Sequence, residues 1–222
     1  MSKTENKKIG TSKFMSGFFK SNKDFHYNYV DQSDDYLVST GSLILDQCMG
    51  GGLSAGLQRF TGCNEGGKTN EALHIMLNML NSVDKSKGLL IKAEGRLSKD
   101  IQKRSGLKFV LDPEEWEIGT CLVWECNVYD TVFDGLRELL RNNPDKEKFC
   151  IVIDSMDGLI SKHDLDKGTS DAPKVAAGAS LTSDFLKRVS LGMSKFGHMN
   201  IMISQIRSTI KASQYTPNDP NN

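Results

Sequence analysis

No apolar run in this sequence approaches the ~18 residues that a membrane-spanning helix needs, and the N-terminus has no apolar core of a secretory signal. No C-x-x-C pair occurs among the five cysteines (48, 63, 121, 126 and 150), and no histidine cluster has metal-ligand spacing. Net charge is missing too: 28 basic residues balance 28 acidic ones, so no global field announces a nucleic-acid partner, although a local basic face suffices for one. No internal repeat is present. These absences exclude a membrane-embedded, disulfide-stapled or structural-zinc protein. Reduced thiols and a cytoplasmic location are expected, the more so because Cys63 sits where a disulfide would obstruct a functional loop.

What is present fits one good-sized core in 222 residues. Residues 1–36 are polar and Lys-rich and read as an arm, with the globular core over 37–222. The first 24 residues hold six lysines against one Glu and one Asp, and an aromatic patch follows at Phe14, Phe18, Phe19, Phe25, Tyr27 and Tyr29. Phe14 to Lys20 is expected to form one or two helical turns, and Phe25 to Val30 alternates like a short strand.

Beyond the arm, short apolar runs at 57–61, 88–93, 121–125, 149–154 and 200–204 read as strands. Amphipathic helical patterns separate them. Leu73, Met76, Leu77 and Leu80 form one stripe. Val132, Phe133, Leu136, Leu139 and Leu140 form a second behind a candidate N-cap at Asp130, and Leu181, Phe185, Val189, Met193 and Phe196 form a third. Buried strands alternating with such helices predict an α/β fold, a mainly parallel sheet covered on both faces. Ser161–Ala179 and Ser208–Asn222 break the rhythm as polar segments expected to lack structure.

The chemistry concentrates at Gly62-Cys63-Asn64-Glu65-Gly66-Gly67-Lys68-Thr69, between the strand at 57–61 and a helical run opening at Asn70. The pattern is that of a phosphate-binding loop: glycines let backbone N–H groups turn inward around phosphates, and the following helix N-terminus adds partial positive charge. Lys68 is the candidate partner of the β- and γ-phosphates, and the Thr69 hydroxyl a candidate Mg²⁺ ligand, so ATP or GTP is the expected ligand. Asp154 ends the apolar strand 149–154 and can reach the same Mg²⁺; capping the next turn is its other use. Ser155 follows it, so the group that orients the attacking water must come from elsewhere. Glu94, at the end of the strand Leu89–Ala93, is the preferred base over Asp157 and Glu65, the alternative being a surface acid. Gln205 ends the run Ile201–Ser204, where it can bond a γ-phosphate and report nucleotide state to the segment beyond.

Taken together, these residues resemble the RecA family of recombinases, including its phage UvsX-type members. The resemblance runs from about Ser39 to Arg207. Ser39–Asp46 followed by Gly50–Gly52 is similar to the family's lead-in to its phosphate loop, Ala93-Glu94 to its catalytic glutamate segment, and Ile153-Asp154-Ser155 to its Mg²⁺ aspartate. Ser204-Gln205-Ile206-Arg207 resembles its nucleotide-sensing glutamine and following arginine. The resemblance implies an ATP-dependent recombinase that assembles a helical filament on single-stranded DNA, with ATP and Mg²⁺ at subunit interfaces. It implies two DNA loops, at Ser161–Lys174 and from Ser208 onward, with Lys162, Lys167, Lys174, Arg207 and Lys211 as candidate phosphate-backbone contacts. It also implies an arm packed on the neighbouring subunit, and a sheet with the phosphate-loop strand beside the Gln205 strand, then those of Asp154 and Glu94. Two departures stand out: Ile101 lies near where the family stacks an aromatic on adenine, and the sequence ends inside the second DNA loop, as expected of a fragment. Two other readings remain open: a helicase-like ATPase of the same fold, and a nucleotide-binding adaptor with little turnover.

Overall fold

The computed structural model describes residues 10–23, 28, 35–165 and 177–206. Among the described residues, six strands form one sheet: β1 (Gly56–Gly62), β2 (Ser86–Lys92), β3 (Lys108–Val110), β4 (Thr120–Glu125), β5 (Lys148–Asp154) and β6 (Met199–Gln205). Their order is β1-β6-β5-β2-β4-β3, and every pairing is parallel. The sequence of strands β1, β6, β5, β2 is the one the resemblance implied.

Parallel strands need crossovers, and among the helices α1 (Thr11–Ser21), α2 (Leu43–Cys48), α3 (Lys68–Ser82), α4 (Lys99–Arg104), α5 (Tyr129–Arg141), α6 (Lys162–Leu165) and α7 (Ala177–Lys195), those from α3 to α7 lie between strands. Alternation along the strands sorts their side chains into two cores. Leu90, Cys150, Val152, Ile201 and Ile203 pack with Leu73, Met76 and Met79 of α3 on one face. Leu89, Ile151, Ile153 and Met202 pack with Val132 and Leu136 of α5 and with Phe185, Val189 and Met193 of α7 on the other. Both faces are covered, which is why the central strands read as continuous apolar runs.

The lead-in segment is held by a polar knot. The Asp46 carboxylate accepts hydrogen bonds from Ser39 Oγ (2.5 Å), Thr40 N (2.7 Å) and Thr40 Oγ1 (2.6 Å), and the bond from Ser39 is the main reason its pKa is lowered. Asn78 of α3 donates to Ser39 O (2.8 Å), tying the knot to the helix behind the phosphate loop. Gly52 turns the chain at φ 135°, where a Cβ would collide with the Val38 carbonyl, so only glycine lets Val38 and Leu53 bridge.

Several local expectations are corrected. Asp130 does not cap α5: the N-cap is Val128, and the Asp130 carboxylate instead accepts from the backbone N–H of Lys162 (2.7 Å). The first N–H of α5 is satisfied by Ile160 O (2.8 Å), so no capping side chain is required. The polar segment from Ser161 is not wholly irregular, since α6 occupies Lys162–Leu165 and α7 begins at Ala177. The arm carries a longer helix than expected, the 11 residues of α1, none of them buried. The strand expected at Phe25–Val30 lies outside the described residues.

Candidate functional site

Strand register brings the chemistry to one edge. Gly62 pairs with Gln205 across β1 and β6, and Lys92 pairs with Asp154 across β2 and β5, so these four neighbouring strands end side by side at their carboxyl termini. In an open parallel sheet this is the edge where ligands bind.

The loop itself is shaped by backbone conformations that favour glycine. Gly67 sits at φ 82° as the N-cap of α3, and a Cβ on Gly66 would press on the Cys63 carbonyl at 3.1 Å. Glu65 also adopts a positive φ, 59°. The Lys68 ammonium bends back over the loop and donates to Gly62 O (2.9 Å) and Cys63 O (2.6 Å). A cavity of about 230 Å³ opens in front, lined by Asn64, Glu65, Gly66, Gly67, Lys68, Thr69, Asn70, Asp154, Ile203 and Gln205. Every expected loop residue from Asn64 to Asn70 therefore borders one space; Gly62 and Cys63 stand behind it, presenting the carbonyls that Lys68 grips.

Asp154 closes the cavity's floor. Its Oδ2 accepts from Thr69 Oγ1 (3.3 Å) and from the ammonium of Lys92 (2.6 Å). Two hard oxygen donors on one cavity suit Mg²⁺, which takes few protein ligands and keeps water and phosphate oxygens for the rest. No group of three or more His, Cys, Asp or Glu side chains that could hold a metal ion occurs among the described residues.

Gln205 links the cavity to Glu94. Its side-chain amide donates to Glu94 Oε2 (3.3 Å), and its backbone N–H donates to Asp157 Oδ2 (2.7 Å). Glu94 thus stands one residue back from the cavity wall, behind Gln205, with its stem packed on Gly158, where a Cβ would overlap Glu94 Cγ and approach Ala93 O at 3.0 Å. Directly after Gln205, Ile206 N donates to Gly62 O (3.1 Å), so the chain leaves the sheet against the phosphate loop. Asp157, less favoured than Glu94 as a base on the sequence, clamps the backbone at the end of β6. Lys92 was overlooked, although a lysine inside an otherwise apolar strand run is itself a sign of a buried partner.

Of the candidate DNA contacts, Lys162 is exposed at the start of α6; Lys167, Lys174, Arg207 and Lys211 lie outside the described residues. Ile101, on α4, packs against the core beside α3.

A parallel sheet covered by helices on both faces, with a glycine loop between its first strand and helix, defines an α/β domain of the phosphate-loop class. Residues 28–220 match the family model described as the RecA N-terminal domain. The chain belongs to the RecA family. It is 28% identical over 186 residues to Protein RecA of Mesoplasma florum, covering 83% of this chain and 51% of that protein. Protein RecA of a Nostoc species is 27% identical over 181 residues, 81% of this chain and 46% of the relative, and that of Rippkaea orientalis 26% over 183 residues, 81% and 48%. The chain spans about half the length of these curated relatives.

Proposed function

We propose that this chain is the ATPase core of a recombinase: it binds ATP, couples hydrolysis to single-stranded DNA, and self-associates into a helical filament. The observation that carries the reading is the continuous path Lys68–cavity–Gln205–Glu94, which joins the phosphate loop to the segment leaving β6. The loop N–H groups and the α3 N-terminus receive the phosphates, and Lys68 exchanges its two carbonyl partners for phosphate oxygens. Thr69 and Asp154 hold Mg²⁺, which when bound screens the phosphate charge. Glu94 orients the attacking water and accepts its proton. Gln205 donates to the γ-phosphate while it is present and falls back on Glu94 when it is gone, so the backbone that Asp157 and Gly62 anchor reports nucleotide state to Arg207 and beyond. Arg207, Lys162, Lys167, Lys174 and Lys211 contact the DNA backbone, and the arm over residues 1–36 packs on a neighbouring subunit. With Ile101 directed to the core, base recognition rests on other groups.

The test is ATP hydrolysis with and without single-stranded DNA, in the unaltered chain and in Glu94→Gln. The reading predicts DNA-stimulated turnover that falls at least about 100-fold in the variant, the scale of a lost general base. Nucleotide binding without DNA-stimulated turnover would favour the adaptor.

A further inference from the structure

Lys92 is a lysine in a place where lysines are rare. It ends β2, a central strand whose residues Gly88 to Ile91 are all buried, and its side chain is only 11% exposed. A buried ammonium persists when it is paired, and Lys92 is: its Nζ lies 2.6 Å from Asp154 Oδ2, with the Asp154 side chain 13% exposed. The pairing is imposed by the fold, because β2 and β5 run in register with Lys92 directly beside Asp154. The oxygen it holds is the one that faces Thr69 Oγ1 at 3.3 Å. A divalent cation shared by Thr69 and Asp154 therefore needs the oxygen that the ammonium occupies.

We propose that Lys92 is a built-in stand-in for the divalent cation: its ammonium neutralises Asp154 when no metal is bound and competes with Mg²⁺ for the same carboxylate oxygen. The inference rests on the nucleotide-binding reading above and adds a residue to it. In metal-free protein Lys92 spares Asp154 the cost of a buried unpaired charge, and it places a cation directly behind the carboxylate that lines the cavity. With metal present the same ammonium is a nearby like charge, so it lowers the benefit that Mg²⁺ brings to nucleotide binding. Lys92 is thus a positioning residue that sets how strongly binding depends on the metal.

The experiment measures the affinity of the chain for a fluorescent ADP analogue in saturating Mg²⁺ and in EDTA; the ratio of the two affinities is the metal's contribution, independent of turnover. Lys92→Met should weaken binding in EDTA and raise the ratio about tenfold, equivalent to ~1.4 kcal/mol. Lys92→Gln, whose amide still donates to Asp154 and so protects the fold, should shift the ratio the same way, whereas Lys92→Arg, which keeps the charge, should retain the low ratio. A purely structural lysine would lower both affinities together and leave the ratio unmoved in Met and Gln, and that result overturns the inference alone. A ratio that rises equally in Arg would also overturn it, because charge would not be the cause. If the unaltered chain binds no nucleotide in either condition, the phosphate-loop reading fails and the inference falls with it.

Discussion

His198 gives the fold a built-in acid sensitivity whose size follows from its surroundings. It immediately precedes β6, the strand that delivers Gln205, and is fully buried. Its Nδ1 accepts from the Phe149 backbone N–H (3.1 Å), its ring stacks on Phe149 at 5.1 Å, and Nε2 has no partner, so the neutral ring with its proton on Nε2 is the form that fits. Burial first, and the charge of Lys148 second, lower its pKa from 6.5 to about 4. Between those values the unfolded chain binds a proton that the folded chain refuses, so stability rises with pH across the window and is lost as pH falls. The loss amounts to about 2 kcal/mol by pH 5 and approaches ~3 kcal/mol once both forms are protonated. For a chain of this size, 2 kcal/mol is a fall in Tm of roughly 4–8 °C. Urea or thermal unfolding at pH 7.5 and pH 5, in the unaltered chain and in His198→Gln, isolates the term, because other titrating groups cancel in the comparison. The variant's stability should vary about 2 kcal/mol less between the two pH values. An identical pH dependence in both would refute the assignment.

Two further outcomes follow from packing. Gly158→Ala forces a methyl against Glu94 Cγ and the Ala93 carbonyl. It should cost about 1–3 kcal/mol of stability and lower ATP turnover more than ADP affinity, and a variant with unchanged Tm and turnover would show that Glu94 is not held there. Cys48 and Cys63 are exposed, whereas Cys121 and Cys150 are buried, with burial pushing the Cys121 thiol up to about 12 and Cys150 up as well. Maleimide should label the first two in native protein and the last two only on unfolding; native-state labelling of Cys150, read by peptide mass spectrometry, would contradict its placement in the sheet.

The elements legible in the sequence are those whose burial leaves a long signature. Strands β2, β5 and β6 are largely buried on both faces and carry short apolar runs, Leu89–Ile91, Phe149–Ile153 and Ile201–Ile203, and the stripe of α3 follows from one face meeting the sheet. Asp154 and Gln205 end β5 and β6, and a polar residue ending such a run falls on the carboxyl edge, whereas Glu94 lies two residues past Lys92, the last residue of β2. Elements of a few residues left no period to read: β3 has three residues and α4 six. Partners distant in sequence leave no local signal either. Asp130 resembles a cap, but its partner is 32 residues away at Lys162, and Asp157 is tied to Gln205, 48 residues on. Lys92 belongs with them, since its partner lies 62 residues further along, and strand order decides that they meet.

The central claim is that Gly62–Asn70 receives the phosphates of a nucleotide, with Lys68 as their principal cation. Calorimetric titration of the full chain with ATP and Mg²⁺, beside Lys68→Ala, tests it most directly. The account predicts one site in the unaltered chain and a loss of at least ~2 kcal/mol in the variant, the scale of a charged hydrogen bond removed. Lys68→Ala binding ATP as tightly as the unaltered chain would contradict it.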